Sequence, residues 1–169
     1  MIEKKRKSKA GIPRTEVFAM RLDPKTKYLC ELAARKERRS LANWIEWAMA
    51  RGLTDTLLDH GMTDEGEHYS TSVADKNTLL WDVDEADRLA KLAFEEPTLM
   101  SYEEEILWKL ISATGYVWHG NYTSEGEWQW NTNSKKINLG RLRECWDDLK
   151  KVANGEAEPD ILPTVPRNT

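Results

Sequence analysis

The sequence predicts a mainly α-helical protein of two domains with one short strand near its amino end. Three observations carry this. Apolar residues recur at helical spacing in five separate segments, one segment before them alternates with period 2, and the sign of the charge changes partway along the chain. The 169 residues suffice for one ordinary domain or two small ones. With 32% charged residues the chain is more charged than most globular domains, and no apolar run approaches the length of a membrane span. The basic residues at the start precede no apolar stretch of the kind a secretory signal has. Two cysteines, Cys30 and Cys145, provide neither a disulfide framework nor a zinc site, so a reducing cytoplasm is the expected compartment and no membrane partner is expected.

The net charge of −4 conceals an asymmetry. Residues 1–53 carry 14 Lys/Arg against 6 Asp/Glu, while residues 54–169 carry 11 against 23. Such a contrast predicts a polyanion-binding end joined to a part with another task. Residues 1–14 hold Lys4, Lys5, Arg6, Lys7 and Lys9 followed by Gly11 and Pro13, with almost nothing to bury, and read as a disordered basic arm able to lie along phosphates.

In the segment from Thr15 to Leu22, alternation puts Phe18, Met20 and Leu22 on one face and Thr15, Val17, Ala19 and Arg21 on the other. Asp23-Pro24 ends this strand and starts a helix, since Asp is a good N-cap and Pro suits the first helical position. Tyr28, Leu29 and Leu32 form that helix's stripe, and it runs to about Lys36. Arg38-Arg39 make a turn and Ser40 caps a second helix, with Leu41, Ile45, Ala48 and Met49 as its buried stripe and Gly52 as its stop. A lone strand leaves its backbone groups unpaired, and so small a unit can scarcely bury a core. The same strand from a second chain, antiparallel across a two-fold axis, resolves both problems.

Residues 54–80 read as an acidic linker. Residues 81–155 read as a Trp-rich helical domain with helices over 84–95, from Ser101 (with Glu104, a capping-box pattern) to Gly115, and over Leu139–Ala153. The Gly/Asn/Thr/Ser-rich stretch before the last helix reads as either a long loop or a small hairpin, within which Trp128-Gln129-Trp130 alternates like a strand. Residues 156–169 read as a flexible tail. No internal repeat is evident.

Phe18-Ala-Met-Arg-Leu-Asp-Pro-Lys, Leu32-Ala-Ala-Arg and Arg39-Ser-Leu-Ala-Asn-Trp-Ile-Glu-Trp-Ala, in that order, resemble a ribbon-helix-helix domain over residues 15–53, the superfamily of the Arc, MetJ and CopG-type repressors. The resemblance implies an intertwined homodimer whose paired strands enter the major groove of double-stranded DNA, which is wide enough for a two-stranded ribbon. It implies base-facing positions at Val17, Ala19 and Arg21, flanked by a further base contact from Thr15. It also implies a phosphate contact at Ser40 and Leu41, to which Arg38, Arg39 and the arm add charge. Phe18, Met20, Leu22, Leu29, Leu32, Leu41, Ile45 and Ala48 would form the dimer core. Many members of that superfamily present polar side chains at all three base-facing positions; this chain offers only Arg21.

No phosphate loop, nucleophile elbow or zinc spacing occurs, so no enzyme, cofactor or metal is expected. His60, His68 and His119 read as loop histidines. Asp82, Asp84 and Asp87 read as helix-capping residues, because an EF-hand starting at Asp82 would need Gly where Asp87 stands. Of the eight tryptophans, those beyond residue 80 are expected to fill a core or form a protein-binding surface, and Trp47 is expected to contact the other domain or a partner. The function expected is a dimeric bacterial, phage or plasmid repressor whose C-terminal domain oligomerises or binds a partner. The alternatives are an antitoxin or inhibitor with secondary DNA binding, and a plasmid partition or relaxosome accessory protein.

Overall fold

The computed structural model describes residues 17–165, and the chain divides into two units, residues 1–75 and 76–169. Among the described residues there are seven α-helices and two antiparallel two-stranded sheets, so the architecture is more mixed than the mainly helical expectation. No helix among them is long and apolar enough to cross a membrane.

In the first unit, Asp23 Oδ1 accepts the Thr26 amide at 3.0 Å and Pro24 opens α1 (Pro24–Lys36). Ser40 caps α2 (Leu41–Asp55) by accepting the Asn43 amide at 3.2 Å. Gly52 does not end α2, in contrast to the expectation. A glycine is tolerated inside a helix when later carbonyls find donors, and here Thr56 donates to the Gly52 carbonyl while the Ala74 amide reaches the Leu53 carbonyl. Ala74 belongs to the return of a hairpin, β1 (Leu57–Met62) against β2 (His68–Ser72), with a bulge between Leu57 and Asp59. The acidic linker expected over 54–80 is therefore corrected: it holds this hairpin and the helix α3 (Asn77–Leu80). His60 and His68 lie in its strands, not in loops. Asp75 locks the return, accepting the Ser72 amide at 2.9 Å and its hydroxyl at 2.7 Å, and these bonds hold the Asp75 carboxyl below the usual range.

The second unit is built on α4 (Glu85–Glu95), α5 (Tyr102–Ala113), the hairpin β3 (Gly120–Tyr122) with β4 (Trp128–Trp130), α6 (Leu139–Glu144) and α7 (Trp146–Ala153). Asp84 caps α4 through the Ala86 amide, and the capping box of Ser101 and Glu104 on α5 is complete. The helix expected over Leu139–Ala153 breaks at Cys145 but keeps its buried stripe of Leu142, Trp146 and Leu149. Burial pushes the Cys145 thiol up to about 11, which makes it a packing group and not a nucleophile. Of the expected flexible tail, the described part is corrected: a 3₁₀ turn at Pro159–Ile161 brings Leu162 against the core, while residues 166–169 lie outside the described residues.

Tryptophan does two jobs in this unit. Trp118 is fully buried, edge-to-face with Phe94 and Trp108 at 6.4 and 6.0 Å. Three indole N–H groups also collar the carboxyl end of α5: Trp118 donates to Ile111, Trp130 to Ser112 and Trp128 to Gly115, at 2.9, 3.1 and 3.1 Å. Carbonyls at a helix end need such partners. Gly120 lets the strands of this hairpin meet, since a Cβ there would lie 2.1 Å from the Gln129 carbonyl oxygen.

Asp87 is the strained element of the core. Its side chain is 9% exposed; Arg143 Nε lies 3.1 Å from Oδ1, but the Nε–H points to the Leu139 carbonyl, so Oδ1 has no hydrogen bond. Burial raises its pKa above the usual carboxylate range. A raised folded pKa means the folded state favours the protonated acid, so the penalty is absent in acid and grows as pH rises through that pKa. Asp87→Asn is expected to stabilise the protein by roughly 1 kcal/mol at neutral pH, with the gain shrinking below the carboxylate range. Thermal melts of the two proteins across pH check this.

Candidate nucleic-acid interface

Residues 17–22 carry no regular secondary structure, in contrast to the expected strand. A strand exists only with a ladder partner, and no described segment of this chain supplies one. Its side chains stand in solvent: Val17 is 101% exposed, Phe18 73%, Met20 51% and Leu22 37%. Ala19 and Arg21 are exposed as well, and Arg21 forms no ion pair among the described residues. Thr15 and the arm residues Lys4, Lys5, Arg6, Lys7 and Lys9 lie outside the described residues.

The helix that follows is apolar on two sides. Ala34 is buried and Cys30, one turn earlier, half-buried, on a helix that packs against α2. Tyr28, Leu29 and Leu32 remain exposed. On α2, Leu41, Trp44, Ile45 and Ala48 are half-buried at spacings of 3, 1 and 3, while Met49 and Leu53 stay in solvent. Of the eight residues expected to form a dimer core, none is buried within the single chain. Ala34 was not anticipated; its signal was the Cys30/Ala34 pair at i, i+4, masked by the larger residues beside it.

The turn between α1 and α2 gathers Arg35, Lys36, Arg38 and Arg39. It is a Schellman motif, with the Arg39 amide bonded to the Ala34 carbonyl at 2.9 Å and the Arg38 amide to that of Arg35 at 3.1 Å. The left-handed position belongs to Arg38, at φ 54°, where glycine is the usual residue. Holding a side chain there costs about 1 kcal/mol. Arg39 stacks over the Trp47 ring at 5.3 Å, and Trp47 meets Trp44 at 6.4 Å, so Trp47 has partners within its own unit. Because Ser40 Oγ occupies the Asn43 amide, the amides of Leu41 and Ala42 are the free donors at the start of α2, facing away from the helix among these cations.

Electrostatically the unit is less one-sided than its first 53 residues. Residues 54–75 add Asp55, Asp59, Asp64, Glu65, Glu67 and Asp75 without a cation, so residues 1–75 carry 14 Lys/Arg against 12 Asp/Glu. Positive charge is concentrated in the arm and the α1–α2 turn. Among the described residues no group of His, Cys, Asp or Glu is placed to hold a metal ion.

Arg38→Gly separates conformation from charge. Relief of the left-handed strain is expected to raise stability by about 0.5–1 kcal/mol. If Arg38 contacts phosphate, as the ribbon-helix-helix resemblance implies, its loss is expected to weaken binding to duplex DNA uniformly across sequences and lower the salt slope by about 1. Chemical denaturation and binding at several salt concentrations read the two signs separately. Comparison with protein-family models, with curated proteins and with solved structures gives no match to this chain.

Proposed function

We propose that the chain is a dimeric, sequence-specific DNA-binding protein of ribbon-helix-helix type, acting as a transcriptional repressor in a bacterium, phage or plasmid. One observation carries the reading. Residues 17–22 have no backbone partner among the described residues and expose Phe18, Met20 and Leu22, directly before a helix whose Tyr28, Leu29 and Leu32 are also uncovered. Pairing with a second copy would fill the ladder and cover both apolar sets at once. The opposite face of the ribbon then offers Val17, Ala19 and Arg21 to base edges. Arg21 can grip a guanine in bidentate fashion and the two small apolar residues can touch thymine methyls. Backbone amides at Leu41 and Ala42, with Ser40, Arg38 and Arg39, would seat a phosphate.

Selection of bound sequences from random duplex DNA by the full chain tests this. A sharp, symmetric motif is expected. Absence of enrichment would replace the repressor with an interaction factor in which DNA binding is secondary. Arg21→Ala is expected to erase the preference, at about 1–3 kcal/mol per lost contact, and to leave non-specific affinity nearly intact. Equal loss of both would make Arg21 a phosphate contact.

A further inference from the structure

The second hairpin, β3–β4, has two unlike faces. Tyr122 and Trp128 meet across it at 4.9 Å, and the indole N–H groups of Trp128 and Trp130 are spent on the end of α5. Asn121 faces Gln129 in the register, and alternation along the strands puts His119 and Asn131 with them on the opposite side. Here the segment 117–122 changes partners. Gly120 to Tyr122 pair with β4, whereas Trp118 bridges Ile137 and the His119 amide donates to the Lys136 carbonyl. A concavity of about 290 Å³ opens at this change, and its polar lining is His119, Asn121, Gln129, Asn131 and Lys136.

Every polar side chain in that lining carries an N–H donor, and no carboxylate lines it. The local balance is the reverse of its surroundings, since residues 76–169 carry 11 Lys/Arg against 17 Asp/Glu. Glu125 and Glu127, the acids nearest in sequence, lie in the turn and outside the lining. The side chains of His119, Asn121, Gln129 and Lys136 form no hydrogen bond or ion pair among the described residues. Asn131 is committed only through its oxygen, which accepts from Asn133 Nδ2.

The first hairpin shows what the second lacks. Thr-x-Glu-Gly-Glu at 63–67 and 123–127 opens a correspondence at a constant offset of 60 residues, which pairs Lys76 with Lys136, Leu79 with Leu139 and Leu89 with Leu149. The elements keep one order as well, α2-β1-β2-α3-α4 and then α5-β3-β4-α6-α7. Lys76 has an internal anion: its ammonium bonds the Glu96 carboxylate, and both side chains are mostly buried. At the same offset from Glu96 stands Glu156, but it is exposed beyond the left-handed Gly155 and accepts from Asn154 Nδ2. Lys136 is therefore left without the carboxylate that its counterpart has.

We propose that this concavity binds a phosphate group, which takes the place at Lys136 that Glu96 takes at Lys76. Donors come from separate stretches of chain, 119–121, 129–131 and 136, and so reach an anion from several sides. A phosphate presents oxygens in each such direction, whereas a carboxylate presents two in one plane. Lysine serves phosphate as a point charge, and the amide and imidazole N–H groups complete the set. The site lies wholly in the second unit and does not rest on the ribbon reading.

Isotope-labelled full-length protein, titrated with inorganic phosphate at constant ionic strength, tests this through the side-chain amide signals of Asn121 and Gln129. These are expected to shift saturably, with half-saturation of the order of 1 mM. Lys136→Gln is expected to weaken binding by about tenfold or more. Lys135→Gln, exposed one residue away and outside the lining, is expected to leave it unchanged. Both lysine side chains are exposed and make no ion pair among the described residues, so neither substitution removes a contact of the fold. A drift without saturation, the same shift from sodium chloride alone, or equal loss from the two lysines would each overturn the proposal. AMP and a short DNA duplex then identify what carries the phosphate. Tighter saturation by AMP than by inorganic phosphate supports the site and assigns it a free phosphorylated molecule. Displacement of phosphate by the duplex, lost in Lys136→Gln, supports it and assigns a nucleic-acid backbone. If neither carrier engages the two amides, the site holds an adventitious ion only and the proposal fails.

Discussion

Trp118→Ala is expected to cost the second unit 3–5 kcal/mol, the range for deleting a buried aromatic side chain. The indole is fully buried, packs edge-to-face against Phe94 and Trp108, and supplies the hydrogen bond to the Ile111 carbonyl at the end of α5. Alanine removes the ring from between α4 and α5 and withdraws one donor from the helix end. Since a domain of this size is stable by only about 5–15 kcal/mol, the loss takes a large share of its margin. Trp118→Phe distinguishes the two contributions. It keeps an aromatic ring but drops the donor, and because the Thr114 amide also bonds the Ile111 carbonyl, a milder loss of about 1–2 kcal/mol is expected. Urea unfolding followed by helical circular dichroism measures both. A cost below 1 kcal/mol for the alanine variant would mean that the aromatic cluster is not what holds α5 in place.

The second large effect falls on binding. Phe18→Asp with Met20→Asp is expected to reduce affinity for duplex DNA at least 100-fold. The two side chains contribute about 1.5–3 kcal/mol each when fully buried, and charge on that face opposes pairing of the ribbon. Val17→Ala, on the other face, is expected to leave affinity within a few-fold and to alter only which sequences are preferred. Fluorescence anisotropy with a selected duplex, at one fixed salt concentration, separates the two faces. Unchanged affinity in the aspartate variant would show that residues 18 and 20 take no part in a DNA-binding dimer.

What was legible in the sequence was local. Asp23-Pro24, Ser40 and the Ser101/Glu104 box set the starts of α1, α2 and α5 because each is satisfied within one turn of helix. The hairpin β1–β2 was not legible, since His68-Tyr-Ser-Thr-Ser buries little and shows no apolar alternation. Its signal lay elsewhere, in a repeat that periodicity does not reveal. Thr63-Asp-Glu-Gly-Glu recurs as Thr123-Ser-Glu-Gly-Glu, and both form the same turn. In each the threonine amide bonds the last glutamate's carbonyl at 2.8 Å, and the glycine, at φ 83° or 82°, donates to the threonine carbonyl. A type I turn closed by a left-handed glycine is a standard hairpin connection. The break at Cys145 and the docking of Leu162 escaped notice because both depend on packing between distant elements. Among the candidate DNA-binding residues, caps and cations could be placed, whereas the expected strand is not formed, since no described segment offers residues 17–22 a ladder partner.

In the proposed dimer, residues 17–22 form an antiparallel ladder with the same residues of another subunit. Isotope-filtered nuclear Overhauser spectroscopy on a mixture of labelled and unlabelled full-length protein tests it most directly. Cross-subunit contacts are expected between backbone protons of residues 17–22, arranged symmetrically about a two-fold axis, at the spacing of paired strands, about 4.5–5.5 Å between facing Cα atoms. Contacts from these residues only to their own chain, or none between subunits, would contradict it.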